Sequence, residues 1–442
     1  MKRPTKGSSA LRIGVLLASA SLALAACGGS SSGGGSQSGG DPFSGDLKVQ
    51  VYGDWPFVKQ NAEAFMKAHP GAKIDVGGIT NDDLRQSGGR LFTSDDAPDV
   101  VSYTLQPSLM EEWISADALT PLDDVWDKDG IAKTVSETTA RIATAADGKK
   151  YSVPLGLTQT PYLFYNKDAW AAAGATPPDP NTHQFASVEQ FNSAMDALKK
   201  AGKVPLSIPG SFIEYMFNAP FQTSCGSAKY QEIATNWKPG GESAAKFTDP
   251  CAVKAIDQVS TWAKGGYFAP GLESMTFEQS QTLFDTQKAG SWIMGSWVPP
   301  VYEPKDFKWD WAMLPSLGTE PTAHGIGVDS FLVPARAKNP PLAKSFISYM
   351  IQKDTLESGM GRIPARTDTD LSKVIKSQLE ISLADAAAKG TQVPYWSTTA
   401  TVSQEQAFAQ NVVAGAMTGK ISAQDAAQKL QDAGDQYRQQ HQ

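Results

Sequence analysis

Hydrophobic and polar residues alternate in short stretches near the start of the chain, and a helical spacing follows the first of them. The segment from Leu47 to Tyr52 alternates as a β-strand does. From Phe57 to His69 the apolar side chains fall on one helical stripe, which a Pro-Gly pair ends. Short apolar strands are predicted at Ile74–Val76 and Asp99–Tyr103. This order of strands and helices predicts an α/β fold.

Helix starts are marked by N-terminal capping signals in the rest of the chain. Each pairs a residue that accepts backbone hydrogen bonds with a fitting residue in the first turn. These signals are Ser187 with Gln190, Asp249 before Pro250, Thr276 with Gln279, Asn339 before two prolines, and Ser422 with Asp425. No repeat of 20 to 50 residues is visible, so a solenoid is not expected.

The N-terminus has the pattern of a secretory signal peptide. Four basic residues precede an apolar run that is shorter than the roughly 20 residues needed to span a bilayer. The segment Leu24–Cys27 resembles a bacterial lipobox, whose cysteine is lipidated and becomes the new N-terminus. We therefore expect a lipoprotein signal peptide at 1–26, lipidation of Cys27 and a Gly/Ser-rich tether at 27–45. An ordinary signal peptide is the alternative.

Composition limits the partners. The chain has 39 Lys and Arg against 46 Asp and Glu, and loss of the four basic residues in the leader makes the mature protein more acidic, at about −11. Such a surface argues against nucleic acid, whose phosphates must be neutralised by basic residues. The mature length exceeds what one hydrophobic core usually organises, so two domains are expected.

Two cysteines remain when Cys27 is set aside. Cys225 and Cys251 would lie outside the reducing cytosol, where such a pair predicts a disulfide. A zinc site is disfavoured, because two cysteines without nearby histidines are too few ligands. We expect no metal and no cofactor.

Several sequence blocks occur in a characteristic order, and together they resemble the family 1 extracellular solute-binding proteins over about residues 46 to 440. These are the maltose-binding-protein-like receptors of carbohydrate ABC importers. The blocks are Ala97–Tyr103, Gly148–Pro154, Leu163–Asp168, Gly290–Trp297, Gly325–Ser330, Asn339–Lys344, Gly361–Arg366 and Gly419–Ser422. Each block alone is weak, whereas their order and spacing together are specific.

The resemblance implies a two-lobed, type II periplasmic-binding-protein-like α/β fold with discontinuous lobes joined by a hinge. It places the N-terminal lobe at 46–158 and 330–368, and the C-terminal lobe at 159–325 and 369–442. The chain would cross between lobes near 158 to 161, 325 to 329 and 366 to 370. Gly325 and Gly327 would allow close backbone approach, either at the hinge or to a ligand, with the hinge favoured.

Ligand-contacting residues are expected in the loops between the lobes. Aromatic rings cover the apolar faces of a sugar, and charged or amide groups replace the hydrogen bonds of its hydroxyls. The aromatic candidates are Trp55, Tyr103, Trp297 and Trp396, of which any could instead be a core residue. The polar candidates are Asp54, Gln106, Gln159, Glu214 with Tyr215, Asp329 and Arg362. Asp99 is expected to be structural.

The implied function is that of a lipid-anchored, monomeric receptor on the outer face of the cell membrane. It would capture a sugar, a di- or oligosaccharide, and deliver it to the permease subunits of an ABC importer. A non-sugar solute, such as a glycerophosphodiester, polyamine or peptide, is the first alternative. The second is an exported carbohydrate-active enzyme, although no sequence feature fixes the pair of carboxylates that it would need.

Overall fold

The computed structural model describes residues 43–52, 56–238 and 244–441, without the side chains of residues 81 and 82. The predicted signal peptide, the predicted lipid attachment site at Cys27 and most of the predicted tether lie outside these ranges. The end of that tether is described. Phe43 stacks on His69 with ring centroids 4.2 Å apart, and the first strand already begins at Gly45.

The described strands form two separate sheets. The strands are β1 Gly45–Tyr52, β2 Ala72–Ile79, β3 Val100–Thr104, β4 Ser152–Thr160, β5 Tyr162–Asn166, β6 Val204–Ser207, β7 Ala289–Met294, β8 Trp309–Ala312, β9 His324–Leu332 and β10 Gln392–Pro394.

Helices connect and cover the strands. Those up to residue 200 are α1 Pro56–Ala68, α2 Asn81–Phe92, α3 Pro107–Ser115, α4 Asp123–Asp129, α5 Glu137–Ile142, α6 Lys167–Ala173 and α7 Val188–Lys200. Those from 215 to 350 are α8 Tyr215–Cys225, α9 Ser227–Ala234, α10 Pro250–Lys264, α11 Phe277–Asp285 and α12 Pro340–Met350. The remainder are α13 Lys353–Glu357, α14 Leu371–Val374, α15 Gln378–Lys389, α16 Trp396–Thr399, α17 Val402–Ala407, the π-helix Phe408–Ala416 and α18 Ala423–Gln440.

The first sheet has the strand order β10-β9-β3-β1-β2, and β4 also pairs with β9. Strand β1 runs parallel to both β2 and β3, with Val49 opposite Val76 and Val100. Strand β9 runs antiparallel to β3 and β4, so the early strands are held together with a strand far along the chain. The strands predicted at Leu47–Tyr52, Ile74–Val76 and Asp99–Tyr103 are confirmed, to within three residues at each end.

The second sheet has the order β6-β7-β5-β8. The chain enters it directly from the first sheet, because only Pro161 separates β4 from β5. One hydrophobic core draws on residues from Leu47 to Leu155 and from Ile326 to Ala384, and another on residues from Leu163 to Ala323 and from Val393 to Leu430. Each lobe therefore has a discontinuous core of its own, while the boundaries predicted for the lobes stay predictions.

The capping signals begin helices where they were expected. Full capping boxes form at Thr276 with Gln279 and at Ser422 with Asp425. Ser187 caps α7 by accepting from the backbone N–H of Gln190, but the Gln190 side chain accepts instead from the backbone of Ala186, at 2.6 Å. No described helix is long and apolar enough to cross a membrane.

Two side-chain links support this framework as predicted. Asp99 accepts hydrogen bonds from the backbone N–H groups of Lys48, Lys338 and Asn339, at 2.8, 2.6 and 3.0 Å, which ties the start of β3 to the loop before α12. Cys225 and Cys251 form the predicted disulfide, which joins the end of α8 to the start of α10.

Candidate functional site

A cavity of about 370 Å³ lies between the two lobes. The first lobe contributes the residues Arg85, Tyr103, Thr104, Leu105 and Gln106. The second lobe contributes Gly210, Ser211, Phe212, Ile213, Glu214, Tyr215, Glu273, Tyr395, Trp396, Ser397, Thr398, Glu405, Phe408, Ala409, Val413 and Ala414. The wall is therefore assembled from segments more than 300 residues apart in sequence. Five of the residues predicted to contact ligand belong to it, namely Tyr103, Gln106, Glu214, Tyr215 and Trp396.

Gln106 links the two lobes at the carboxyl end of β3. It stands just before α3, whose first residue is Pro107, in the kind of post-strand turn where α/β proteins bind ligands. Its side-chain amide donates to the carbonyl oxygen of Ala400 at 3.0 Å and to Glu405 Oε1 at 3.2 Å. Its own oxygen accepts from the hydroxyl of Tyr103 at 3.4 Å. The amide nitrogen thus links one lobe to the other, while the oxygen is bonded within the first lobe.

An ion pair between Arg85 and Glu405 also crosses the cleft. Arg85 lies in α2, whose start is fixed by a capping box between Thr80 and Asp83. Glu405 lies in α17, which starts with another box at Thr401 and Gln404. Burial raises the pKa of Glu405 to about 7, although Arg85 opposes the shift. Sequence reasoning missed both residues, since neither capping box indicates that the two helices face each other.

Glu214 lies in the wall of the second lobe, directly before α8. Burial raises its pKa to about 8, and the neighbouring Glu405 carboxylate acts in the same direction. Its own backbone N–H, Arg85 and a hydrogen bond with Ser397 oppose the shift without cancelling it. A carboxyl group in this position donates a hydrogen bond when protonated and binds a cation when ionised.

Aromatic rings form the wall beside Glu214. Phe212 stacks on Tyr215, with centroids 5.2 Å apart and planes 5° from parallel. Trp297 meets both rings edge-on at 6.1 Å, and Tyr395 meets Tyr215 edge-on at the same distance. Such rings present flat, weakly negative faces to a ligand. Phe212 and Tyr395 were not predicted, although Tyr395 is the immediate neighbour of the predicted Trp396.

Tyr395 reaches the cavity because two glycines in β9 make room for it. A Cβ atom at Gly325 would lie 2.7 Å from Tyr395 Cβ, and one at Gly327 would lie 2.7 Å from Tyr395 Cε1. The same atoms would lie 2.4 Å from the carbonyl oxygen of Thr160 and from Thr158 Oγ1, respectively. The glycines thus serve close packing between strands β9 and β4 and the residue that follows β10.

Trp396 is almost fully buried, with 1% of its surface exposed. Its ring packs edge-on against Phe217 and Phe247 and at a tilt against Phe408, which joins the cavity wall to the core of the second lobe. Its backbone N–H donates to Asn218 at 2.7 Å, whereas its indole N–H has no hydrogen-bond partner among the described residues. Trp396 is thus both a wall residue and a core residue, the two roles that its sequence position left open.

The other predicted contacts that the structure describes lie outside the cavity wall. Gln159 is buried in β4, where its backbone N–H donates to Ser296 and its side chain accepts from Tyr162, both at 3.0 Å. Trp297 packs behind Phe212 and Tyr215. A part for either residue in ligand binding stays a prediction.

Asp329 and Arg362 form a pair next to the cavity wall. Asp329 accepts from the hydroxyl of Thr104 at 2.5 Å, and Arg362 Nη1 lies 3.8 Å from its other oxygen. Burial raises the pKa of Asp329, although Arg362 and Thr104 oppose the rise. Asp54 and Trp55 lie outside the described residues. Within the described part of the chain, no group of three or more His, Cys, Asp or Glu side chains could hold a metal ion.

Comparison with known proteins identifies relatives of this architecture. Residues 56–356 match the family model of the bacterial extracellular solute-binding proteins. An uncharacterised extracellular-binding protein of an ABC transporter from Pyrococcus horikoshii is 24% identical over 356 residues, which are 75% of this chain and 76% of the relative.

Solved structures resemble the fold closely. A chitin oligosaccharide binding protein superposes with a TM-score of 0.74 at 18% identity, over 90% of this chain and 99% of that protein. A cyclic α-maltosyl-1,6-maltose binding protein from Arthrobacter globiformis gives 0.68 at 19% identity, over 90% and 100% of the two chains. A solute-binding protein in complex with raffinose gives 0.67 at 17% identity, over 89% and 100%. The predicted two-lobed α/β fold is confirmed.

Proposed function

This chain belongs to the bacterial extracellular solute-binding protein family, as predicted, and from its place as the extracellular solute-binding component of an ABC transporter we propose that it captures a carbohydrate between its lobes. One observation carries the proposal: the cavity between the lobes combines aromatic rings with carboxyl, amide and guanidinium groups. Its volume of about 370 Å³ falls in the range of small-molecule sites. The structural relatives named above, which bind oligosaccharides, support the same class of ligand.

The geometry suits a sugar in two ways. Phe212, Tyr215 and Tyr395 offer faces to the C–H surfaces of the rings, while Glu214 and Arg85 offer hydrogen-bond partners to the hydroxyl groups. Gln106 and Glu405 reach across the cleft, so a ligand that touches both lobes favours the closed arrangement. Closure then distinguishes the loaded receptor from the empty one for the permease subunits, because the ligand binds the two arrangements with different affinity.

The remaining parts of the proposal concern attachment. The protein is held at the outer face of the membrane by lipid on Cys27, through the Gly/Ser-rich tether, and acts as a monomer without binding nucleic acid. The lipobox-like Leu24–Cys27 segment and the acidic composition support this. Fractionation of cells that express the full chain tests the anchor: the wild type stays with the membrane, and a Cys27→Ser variant that is still exported is released. Equal retention of both would contradict it.

The carbohydrate proposal is tested by a thermal-shift panel on the protein without its leader. The panel contains mono-, di- and oligosaccharides together with glycerophosphodiesters, polyamines and short peptides. A ligand at 100 times its dissociation constant stabilises the folded state by about 2.7 kcal/mol, which raises the melting temperature measurably. We expect the largest rise with a saccharide, together with compaction in small-angle X-ray scattering.

Two results would count against the proposal. If only a non-sugar solute stabilised the protein, the ligand would belong to the class of that solute and not to the carbohydrates. Release of new reducing ends during incubation would favour the enzyme alternative, because Glu214 and Glu405 both line the cavity with raised pKa values.

A further inference from the structure

The charges beside the cavity pair unequally. Glu405 has Arg85 as its ion-pair partner, and Asp329 has Arg362, with Nη1 3.8 Å from Oδ2. Glu214 has no Lys or Arg within ion-pair distance among the described residues. The guanidinium of Arg85 acts on it only from beyond contact distance. Glu273 of the wall is exposed to solvent, so of the two half-buried wall carboxyl groups, Glu214 and Glu405, it is Glu214 that lacks a cation of its own.

The ionised form of Glu214 is energetically unfavourable at this position. Glu214 is half-buried, and a carboxylate partly withdrawn from water without a counter-ion is disfavoured, so the group is either protonated or supplied with a cation from outside. Its neighbour Glu405 adds repulsion, which its own backbone N–H and the hydroxyl of Ser397 offset only in part. A positive charge bound beside Glu214 supplies the missing counter-ion and also offsets the repulsion from Glu405.

The aromatic rings around Glu214 suit the same ligand. Phe212 and Tyr215 are stacked in the wall, and the ring of Tyr395 stands edge-on to Tyr215 at 6.1 Å. The face of an aromatic ring attracts a cation at close range, and more strongly where water is excluded. A carboxylate beside several rings is thus complementary to an ammonium group on a compact, partly apolar body.

We propose that the solute is a basic saccharide, whose protonated amine forms an ion pair with Glu214 while its ring lies against Phe212, Tyr215 and Tyr395. This inference rests on the proposed function and narrows it, because a neutral sugar of the same skeleton leaves Glu214 without a cation. Glu214 is then the residue that selects the charged sugar over its neutral counterpart.

Isothermal titration with matched ligands tests this. Each saccharide skeleton of the panel is measured in three forms that carry, at one position, a hydroxyl, a free amine or an N-acetylated amine. For the skeleton that binds, the amine form should bind about tenfold tighter than either neutral form. Glu214→Gln, which keeps the shape and removes the charge, should bring the three forms to within about twofold of one another.

A matched variant controls for the loss of a carboxyl group as such. Glu380 is more deeply buried than Glu214, with 1% of its surface exposed, but it lies in α15 outside the cavity wall, so Glu380→Gln should keep the preference for the amine form. If Glu214→Gln does not fold, Glu214→Asp replaces it, and its shorter side chain should weaken the amine form selectively.

The outcomes separate the two proposals. Equal or tighter binding of a neutral form, or a preference for the amine form that survives in Glu214→Gln, would overturn the basic-saccharide inference and leave sugar capture standing. Binding of spermidine with no binding of any saccharide would overturn the proposed function itself.

Discussion

The cleft and the hinge lie side by side in this protein, yet they are built in different ways. The strands β4 and β9, which carry the predicted hinge, pair from Ser152 opposite Leu332 to Thr160 opposite Gly325, with one shift of register between Pro154 and Gly156. The cleft is lined by side chains that separate segments contribute a few at a time. Substitution of a cleft side chain can therefore change the ligand while the fold persists, whereas the hinge depends on backbone contacts that tolerate little change.

Tyr395 is the point at which the two regions meet. Its side chain lines the cavity, while its Cβ packs on Gly325 and its ring packs on Gly327 in β9. The position of a ligand-facing ring is thus set by how closely the hinge strands allow it to approach. The following predictions test how far the two regions are independent.

The largest effect is expected at the hinge, from Gly327→Ala. The new methyl group would lie 2.4 Å from Thr158 Oγ1 and 2.7 Å from the Tyr395 ring, and both residues are buried. We expect the free energy of unfolding in urea to fall by about 2 to 3 kcal/mol, because the crowded side chains must shift. Ligand affinity should fall as well, since Tyr395 shifts with them.

A strand glycine with open space around it gives the control. A Cβ atom at Gly78 in β2 meets no atom within 4 Å, so Gly78→Ala should change stability by no more than about 0.5 kcal/mol. If Gly327→Ala likewise changed neither the stability nor the ligand affinity, the proposed dependence of the Tyr395 position on close packing against β9 would be wrong.

A smaller, pH-dependent effect is expected in the cleft, from Glu214→Gln. The pKa of Glu214 is about 8 in the folded protein against 4.5 as the ordinary value, so between these values the folded state holds a proton that the unfolded chain has released. Stability from this group is therefore complete below pH 4.5 and is lost as the pH rises through 8. The variant should gain about 1.5 kcal/mol relative to wild type between pH 5.5 and 8.5.

Urea unfolding of both proteins at the two pH values measures this. Glu380→Gln should shift in the same direction, because burial also raises the pKa of Glu380 to about 8. If both variants gain stability alike at the higher pH and only Glu214→Gln changes ligand binding, desolvation destabilises both ionised carboxyl groups, but only Glu214 takes part in binding. If wild type and Glu214→Gln lost the same unfolding free energy between pH 5.5 and 8.5, the conclusion that Glu214 is desolvated would be wrong.

Local features of the fold could be predicted from sequence because they depend on neighbours in the chain. The alternation from Leu47 to Tyr52 and the box at Thr276 with Gln279 each specify an element with a few residues. The close approach at Gly325 and Gly327 was predicted, since a glycine pair beside an expected crossing indicates it, while their use as a hinge stays a prediction.

The cleft could be predicted only in part, because its contacts join distant segments. Arg85 and Glu405 are 320 residues apart, and nothing local to either indicates the other. Tyr395 and Trp396 are adjacent, and the direction in which each side chain points depends on how the short strand β10 pairs with β9. Glu214 was predicted as a polar contact, but its lack of a counter-ion follows only from the folded arrangement.

The smallest effect is expected from a comparison of two buried tryptophans, one on each side of the distinction between cleft and scaffold. Trp396 in the cleft wall has no partner for its indole N–H among the described residues, whereas Trp237 donates to the carbonyl oxygen of Thr399 at 2.6 Å. Both rings are buried, so each change to Phe leaves a similar void. Only Trp237→Phe also leaves a buried carbonyl unsatisfied, and it should cost about 1 kcal/mol more than Trp396→Phe. Urea unfolding of the two variants checks this difference. An equal loss of unfolding free energy in both variants would mean that Trp396 is stabilised by an interaction other than packing. The cleft wall and the scaffold would then not differ in this respect.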